Sequence, residues 1–238
     1  AWLANAPNGD VYITWVRWNP YPSGPIDVEV VRSANGGTSY AAVANPLTGG
    51  VNPQAAGPTG TCGRPALNGN IRYLPSPQIA VGPDGLLFAG GEAGQIYRVG
   101  ADGSPKEIAT TGGFIYGVTL DGSGDVFACD FGNGAVMRIS AGAVSSYSNG
   151  TAKRPMRVPN FAAFDVTGNL YVTDSGEWDD DEGLVYRIAP GGATEIWAEA
   201  TPRFPNGCCL TASGDALLVV ESRGRAVVRV PIEDDGSS

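Results

Sequence analysis

Gln78-Ile79-Ala80-Val81-Gly82-Pro83-Asp84-Gly85-Leu86-Leu87-Phe88-Ala89 reads as a short apolar strand, a tight turn closed by glycine, and a second apolar strand. The unit returns as Gly117-Val118-Thr119-Leu120 with Gly124-Asp125-Val126-Phe127, as Phe161-Ala162-Ala163-Phe164 with Gly168-Asn169-Leu170-Tyr171-Val172, and as Cys209-Leu210 with Gly214-Asp215-Ala216-Leu217-Leu218. The turn glycines Gly85, Gly124, Gly168 and Gly214 are spaced by 39, 44 and 46 residues. Such a period accommodates four short strands per copy, the content of one β-propeller blade. The fold class expected is therefore all-β, a β-propeller of four-stranded antiparallel blades.

Each copy continues with an alternating strand that carries an arginine at a fixed place: Arg98, Arg138, Arg187 and Arg229. One recurring position implies one recurring environment. Weaker outer strands follow at Lys106–Ala109 and Thr194–Trp197. An earlier copy opens the chain, with Val11–Trp15 as second strand and Ile26–Arg32 as third. Five repeats are visible. Residues 45–70 are rich in Gly, Pro, Asn and Thr and do not alternate, so they read either as a long irregular excursion or as a degenerate sixth blade. The whole is expected to form one domain, residues 1–75 holding an atypical first blade and a long loop, and residues 76–238 the regular blades.

The 238 residues are 42% hydrophobic and 16% charged, enough to bury a substantial core. A net charge of −9 disfavours nonspecific binding to phosphate backbones, so nucleic acid is not an expected partner. No apolar run approaches the roughly 20 residues that span a bilayer, and no signal segment is present. A soluble protein is expected, with no membrane partner and its compartment, cytoplasmic or secreted, left open. Of the four cysteines, Cys62, Cys129, Cys208 and Cys209, the adjacent pair must face opposite ways on a strand, and free thiols are expected.

The chain has no histidine. That removes Ser-His-Asp triads, Cys-His pairs and His-ligated zinc together. Chemistry would fall to carboxylates, amides and hydroxyls around a hard cation. Two segments place Pro-Asn at the head of a blade's first strand: Arg157-Val158-Pro159-Asn160-Phe161 and Arg203-Phe204-Pro205-Asn206-Gly207. Innermost strands begin near the propeller axis, where ligands usually bind.

With Tyr171-Val172-Thr173-Asp174-Ser175 and Val219-Val220-Glu221-Ser222, these segments resemble the gluconolactonase, regucalcin and luciferin-regenerating family over residues 76–238; strictosidine-synthase-like propellers are related. The resemblance implies a six-bladed type of propeller, here truncated or five-bladed, whose central pocket holds one divalent cation and hydrolyses small lactones or esters. Calcium is the first expectation, with magnesium, manganese or zinc as alternatives. Carried over by motif, Asn160 and Asn206 are the metal ligands, and Asn160 with Arg157 would meet the lactone or sugar-derived substrate. Asp174 and Glu221, which end the second strands, are the candidate catalytic carboxylates; their other reading is as caps of turns, and Asp130 at the same place in the preceding blade favours that one. Two acidic ligands expected in this family are absent from their places: Ser76-Pro77-Gln78 stands where a glutamate is expected, and no Pro-Asp-Gly opens a further blade after Ile232.

Other readings remain. A non-catalytic structural propeller, completing its ring through a homo-oligomer, is the main rival. Arg32-Ser33-Ala34-Asn35-Gly36-Gly37-Thr38-Ser39-Tyr40 resembles a degenerate sialidase-type Asp-box, which keeps a sialidase-like sugar binder as a weaker alternative. Glu177-Trp178-Asp179-Asp180-Asp181-Glu182-Gly183 is expected as a solvated acidic turn. The aromatics Trp2, Tyr12, Trp15, Trp18 and Tyr21 are expected to pack between blades.

Overall fold

The computed structural model describes residues 2–6, 8–18, 26–44, 79–82, 84, 86–91, 93–99, 105–233 and 236–238. The Gln78 position, Cys62 and the stretch in question as a sixth blade lie outside these residues, as do the side chains of Trp2, Trp15, Trp18 and Tyr21. Among the described residues every element is a strand.

Five antiparallel sheets succeed one another along the chain, as the repeat requires. Blade 1 holds β1 (Trp2–Asn5), β2 (Val11–Trp18), β3 (Ile26–Ser33) and β4 (Ala41–Ala44), and blade 2 holds β5 (Ile79–Val81), β6 (Leu87–Gly90), β7 (Gln95–Val99) and β8 (Pro105–Thr110). Blade 3 holds β9 (Ile115–Leu120), β10 (Val126–Asp130), β11 (Ala135–Ser140) and β12 (Ala143–Ser148). Blade 4 holds β13 (Pro159–Phe164), β14 (Leu170–Asp174), β15 (Leu184–Ile188) and β16 (Thr194–Ala198), and blade 5 holds β17 (Pro205–Leu210), β18 (Ala216–Glu221) and β19 (Ala226–Pro231). Within each sheet the strands neighbour one another in chain order, and blade 5 alone has three among the described residues. This is an all-β fold of five propeller blades.

By internal packing the chain divides into two compact units, residues 1–89 with 97–107, and residues 90–96 with 108–238. In the first, Ala6, Tyr12, Val30, Leu87 and Val99 form a core. Its β3–β4 turn matches the Asp-box-like segment. Asn35 Oδ1 accepts from the Ser39 N–H at 2.9 Å and Ser33 Oγ accepts from the Gly37 N–H at 2.8 Å, so this segment is a self-bonded hairpin turn.

The second unit carries blades 3 to 5. Second strands β10 and β14 are buried at every position, whereas outer β12 is mostly exposed. Burial on both faces explains why these strands begin with an apolar run instead of alternating, ending on the buried Asp130 and Asp174. Phe127 meets Tyr147 and Phe164 edge-on, each with centroids 4.9 Å apart, so blades 3 and 4 join through aromatic packing. Tyr171, Val185, Trp197, Cys208, Leu217, Val219 and Val230 join blades 4 and 5. Cys208 is buried and Cys209 exposed, as alternation dictates, and both are free, as is Cys129.

The recurring arginines do share one environment. Arg32, Arg98, Arg138 and Arg229 each pair with the aspartate of their blade's first turn: Asp10, Asp84, Asp125 and Asp215. Arg187 departs: Asn169 follows the turn glycine where Asp10, Asp125 and Asp215 follow theirs, and Arg187 pairs with Glu195 at 2.6 Å.

Candidate functional site

The heads of the inner strands of blades 3, 4 and 5 share one irregularity. The β9–β10 register shifts between Cys129 and Asp130, the β13–β14 register between Pro159 and Phe161, and the β17–β18 register between Pro205 and Cys208. The extra residues are Tyr116, Asn160 and Asn206 with Gly207. A bulge turns its extra residue away from the strand's alternation, and bulges beside binding sites commonly re-aim a side chain.

Both predicted asparagines are thus in equivalent places, and they bond alike. Asn160 Nδ2 donates to Ser175 Oγ at 3.0 Å, and Asn206 Nδ2 donates to Ser222 Oγ at 3.1 Å. Each serine directly follows the second strand of the same blade. Spending the NH2 group on a serine fixes the amide and leaves Oδ1 as an acceptor that no donor among the described residues meets. Ser175 Oγ in turn donates to the Pro205 carbonyl at 2.6 Å, and Thr173 Oγ1 donates to the Asn206 carbonyl at 2.7 Å, which ties blade 4 to the head of β17. Asn160 is only 4% exposed, so its orientation is set by these partners.

The candidate carboxylates hold the backbone. Asp174 accepts from the Arg157 N–H at 2.7 Å through Oδ2, and from Val158 and Gly176 at 2.9 and 3.3 Å through Oδ1. Asp130 accepts from the N–H groups of Phe114 and Asn133. Glu221 accepts from the Arg203 N–H at 2.7 Å through Oε1, and no donor among the described residues meets Oε2. All three tie down the segment that leads into β9, β13 or β17, the capping role foreshadowed by Asp130. Burial pushes the Asp174 carboxyl above the usual range despite its three N–H donors, because desolvation outweighs them.

Arg157 is held by the acidic loop. It pairs with Glu177 at 3.5 Å, with Asp180 at 3.5 Å and with Glu182. Arg223 pairs with Asp181 and donates to the Asp180 carbonyl. Arg154 also donates to the Glu182 carbonyl at 2.6 Å, so the run 177–183, exposed at most of its acidic positions, is held by three arginines.

Among the described residues no three His, Cys, Asp or Glu side chains gather as a metal cluster. The donors present, two oriented amide oxygens, suit a hard cation in kind and supply it no charge. The residue the sequence did not single out is Tyr116. The Pro-Asn signal is missing from Phe114-Ile115-Tyr116, and only the shared bulge exposes the equivalence.

The profile of the SMP-30/gluconolactonase/LRE-like family matches residues 76–238. The chain belongs to that family. No curated protein sequence matches it. Among solved structures, a gluconolactonase from Xanthomonas campestris is 18% identical with a TM-score of 0.53, covering 62% of this chain and 58% of that one. Virginiamycin B lyase from Staphylococcus aureus is 19% identical with a TM-score of 0.63, covering 99% and 67%. A chain of a nidogen/laminin complex is 15% identical with a TM-score of 0.63, covering 97% and 74%. At these identities the likeness is one of fold. This gluconolactonase-like propeller spans 57% and 58% of the length of two of the structures it matches, a putative gluconolactonase and the Xanthomonas enzyme.

Proposed function

We propose that the protein is a divalent-metal-dependent hydrolase of small lactones or esters, with its ligand site at the bulged heads of β13 and β17. The observation that carries this reading is the pair of equivalent amides, Asn160 and Asn206, each locked by a serine with Oδ1 left over as an acceptor. Amide oxygens are among the ligands calcium takes, and calcium is the cation we assign first. A bound cation would supply Lewis-acid activation of the carbonyl or of a water.

The chain's own groups supply position. Asn160 and Asn206 present fixed oxygens from neighbouring inner strands. Asp174 holds the β13 head in place through backbone bonds and is assigned no proton transfer. Glu221 keeps one oxygen uncommitted and is the group proposed to take a proton. Arg157 is assigned to the acidic loop, where it keeps the approach to Asn160 ordered.

Calorimetric titration with calcium and manganese, on wild type and Asn206→Ala, tests the reading when combined with a pH-indicator lactone assay. Expected are saturable binding abolished by the substitution and hydrolysis abolished by chelator. Absence of binding to the wild type would overturn it. The rival is a structural propeller, favoured by one observation: Asp130, Asp174 and Glu221 perform the same backbone tether in three consecutive blades. It predicts neither cation binding nor hydrolysis.

A further inference from the structure

We infer that blade 3 supplies an aromatic recognition wall beside the amide site, and that the ligand is an uncharged lactone or ester bearing an aromatic arm in place of a polyhydroxylated sugar lactone. The inference rests on the proposed location of the site.

Blade 3 repeats the bulge and changes its chemistry. Where blades 4 and 5 pair an amide with a hydroxyl, Asn160 with Ser175 and Asn206 with Ser222, blade 3 pairs Tyr116 with Phe131. Their ring centroids lie 5.5 Å apart, and Phe114 completes a cluster at 5.3 Å from Tyr116 and 6.2 Å from Phe131. The strand that carries Tyr116 runs beside the strand that carries Asn160. At Gly117, the residue after Tyr116, an added Cβ would lie 2.5 Å from the Asn160 carbonyl oxygen, so the two bulges touch through backbone.

Phe131 is 40% exposed. A lone exposed apolar side chain carries no meaning. Here the exposed ring belongs to a stack of three and stands in the register of a residue that fixes a site amide. Aromatic rings favour edge-to-face and offset partners, a geometry that a ligand ring can meet at the exposed Phe131. On the blade 5 side, Trp178 meets Phe204 edge-on at 4.9 Å, and Phe204 is held at φ +61° immediately before Pro205-Asn206. That conformation is strained for an aromatic residue, and such strain clusters at ligand sites.

Charge selects the ligand further. Arg157 and Arg223, which flank the heads of blades 4 and 5, are paired with Glu177, Asp180, Asp181 and Glu182. To reach Arg157 or Arg223 an anionic acid or phosphate would have to displace those partners, whereas a neutral ester makes no such demand.

The test compares γ-phenyl-γ-butyrolactone with D-glucono-δ-lactone on the full chain with calcium, using wild type, Phe131→Ser and Phe131→Tyr. Hydrolysis is read by pH indicator, and binding by saturation-transfer NMR on the phenyl protons. Expected is a kcat/KM ratio favouring the phenyl lactone that falls by about tenfold or more in Phe131→Ser, as loss of one apolar contact gives, and recovers in Phe131→Tyr. If neither lactone is hydrolysed but phenyl saturation is strong in wild type and lost in Phe131→Ser, the aromatic wall stands and the hydrolase reading falls. A ratio unchanged by Phe131→Ser, or no phenyl saturation in wild type, overturns the wall. Thermal melts of the variants confirm folding, since the substituted ring is partly exposed.

Discussion

Asp174 and Asp165 are carboxylates on one blade with opposite acid–base behaviour, and the difference is environmental. At Asp165 partial burial works upward, but hydrogen bonds from Asn169 and Thr167 outweigh it and hold the group below the usual range. Its stabilisation is complete above the unfolded pKa of about 4 and is lost as pH falls through the lower folded value. At Asp174 burial wins, so the folded protein holds the proton more tightly, and stability from this group falls as pH rises from about 4 through the raised value. Urea unfolding across acidic to neutral pH should therefore show wild-type stability rising relative to Asp165→Asn with pH, and falling relative to Asp174→Asn. Asp174→Ala removes the acceptor of three backbone N–H groups and should cost about 2–4 kcal/mol at neutral pH, measured by the same unfolding. The tethering role was legible in the repetition of Asp130 and Asp174. What the sequence hid was Tyr116, because equivalence by bulge leaves no motif.

At the scale of elements, β9 and β13 pack so closely at Gly117 that a methyl group has no room: an added Cβ would also lie 2.7 Å from the Phe161 ring. Gly117→Ala should destabilise by about 1–3 kcal/mol through forced separation of the strands, read as a lowered denaturation midpoint. It should also weaken calcium binding if Asn160 shifts with β13. The acidic loop behaves differently. Its clamps on Arg157 and Arg223 are partly exposed, and pairs open to solvent contribute about 0–1 kcal/mol each before screening. Arg157→Ala or high salt should leave global stability nearly unchanged while accelerating amide exchange across residues 177–183. The acidic composition of the loop was plain in the sequence, but its clamping was not, since the arginines stand some 20 residues before it and 40 after it.

For the whole molecule, protection should follow strand rank within blades 3 to 5. Residues of β14, β15 and β18 such as Leu170, Val172, Val185, Tyr186, Leu217 and Val219 have no measurable exposure, whereas β12 and β19 present mostly open positions. Native-state hydrogen exchange should report the former as the slowest amides and the latter as among the fastest. Tyr186→Ala, which empties a fully buried site and removes a donor to the Arg154 carbonyl at 2.9 Å, should cost about 3–5 kcal/mol in equilibrium unfolding.

The sequence by itself determined the blade: a repeat of turn, apolar strand and arginine-bearing strand suffices, because strand period and tight-turn chemistry are local properties. It also determined the pair of Pro-Asn heads, and that imidazole chemistry is closed to these residues. Only the tertiary structure decided that the asparagines give their NH2 groups to Ser175 and Ser222, that Asp174 is committed to backbone, and that Tyr116 and Phe131 stand where an amide and a hydroxyl stand in the next two blades. Those facts depend on register shifts and on contacts between blades. A one-residue bulge changes which side chain faces a site without changing composition, periodicity or spacing in any way a linear reading detects.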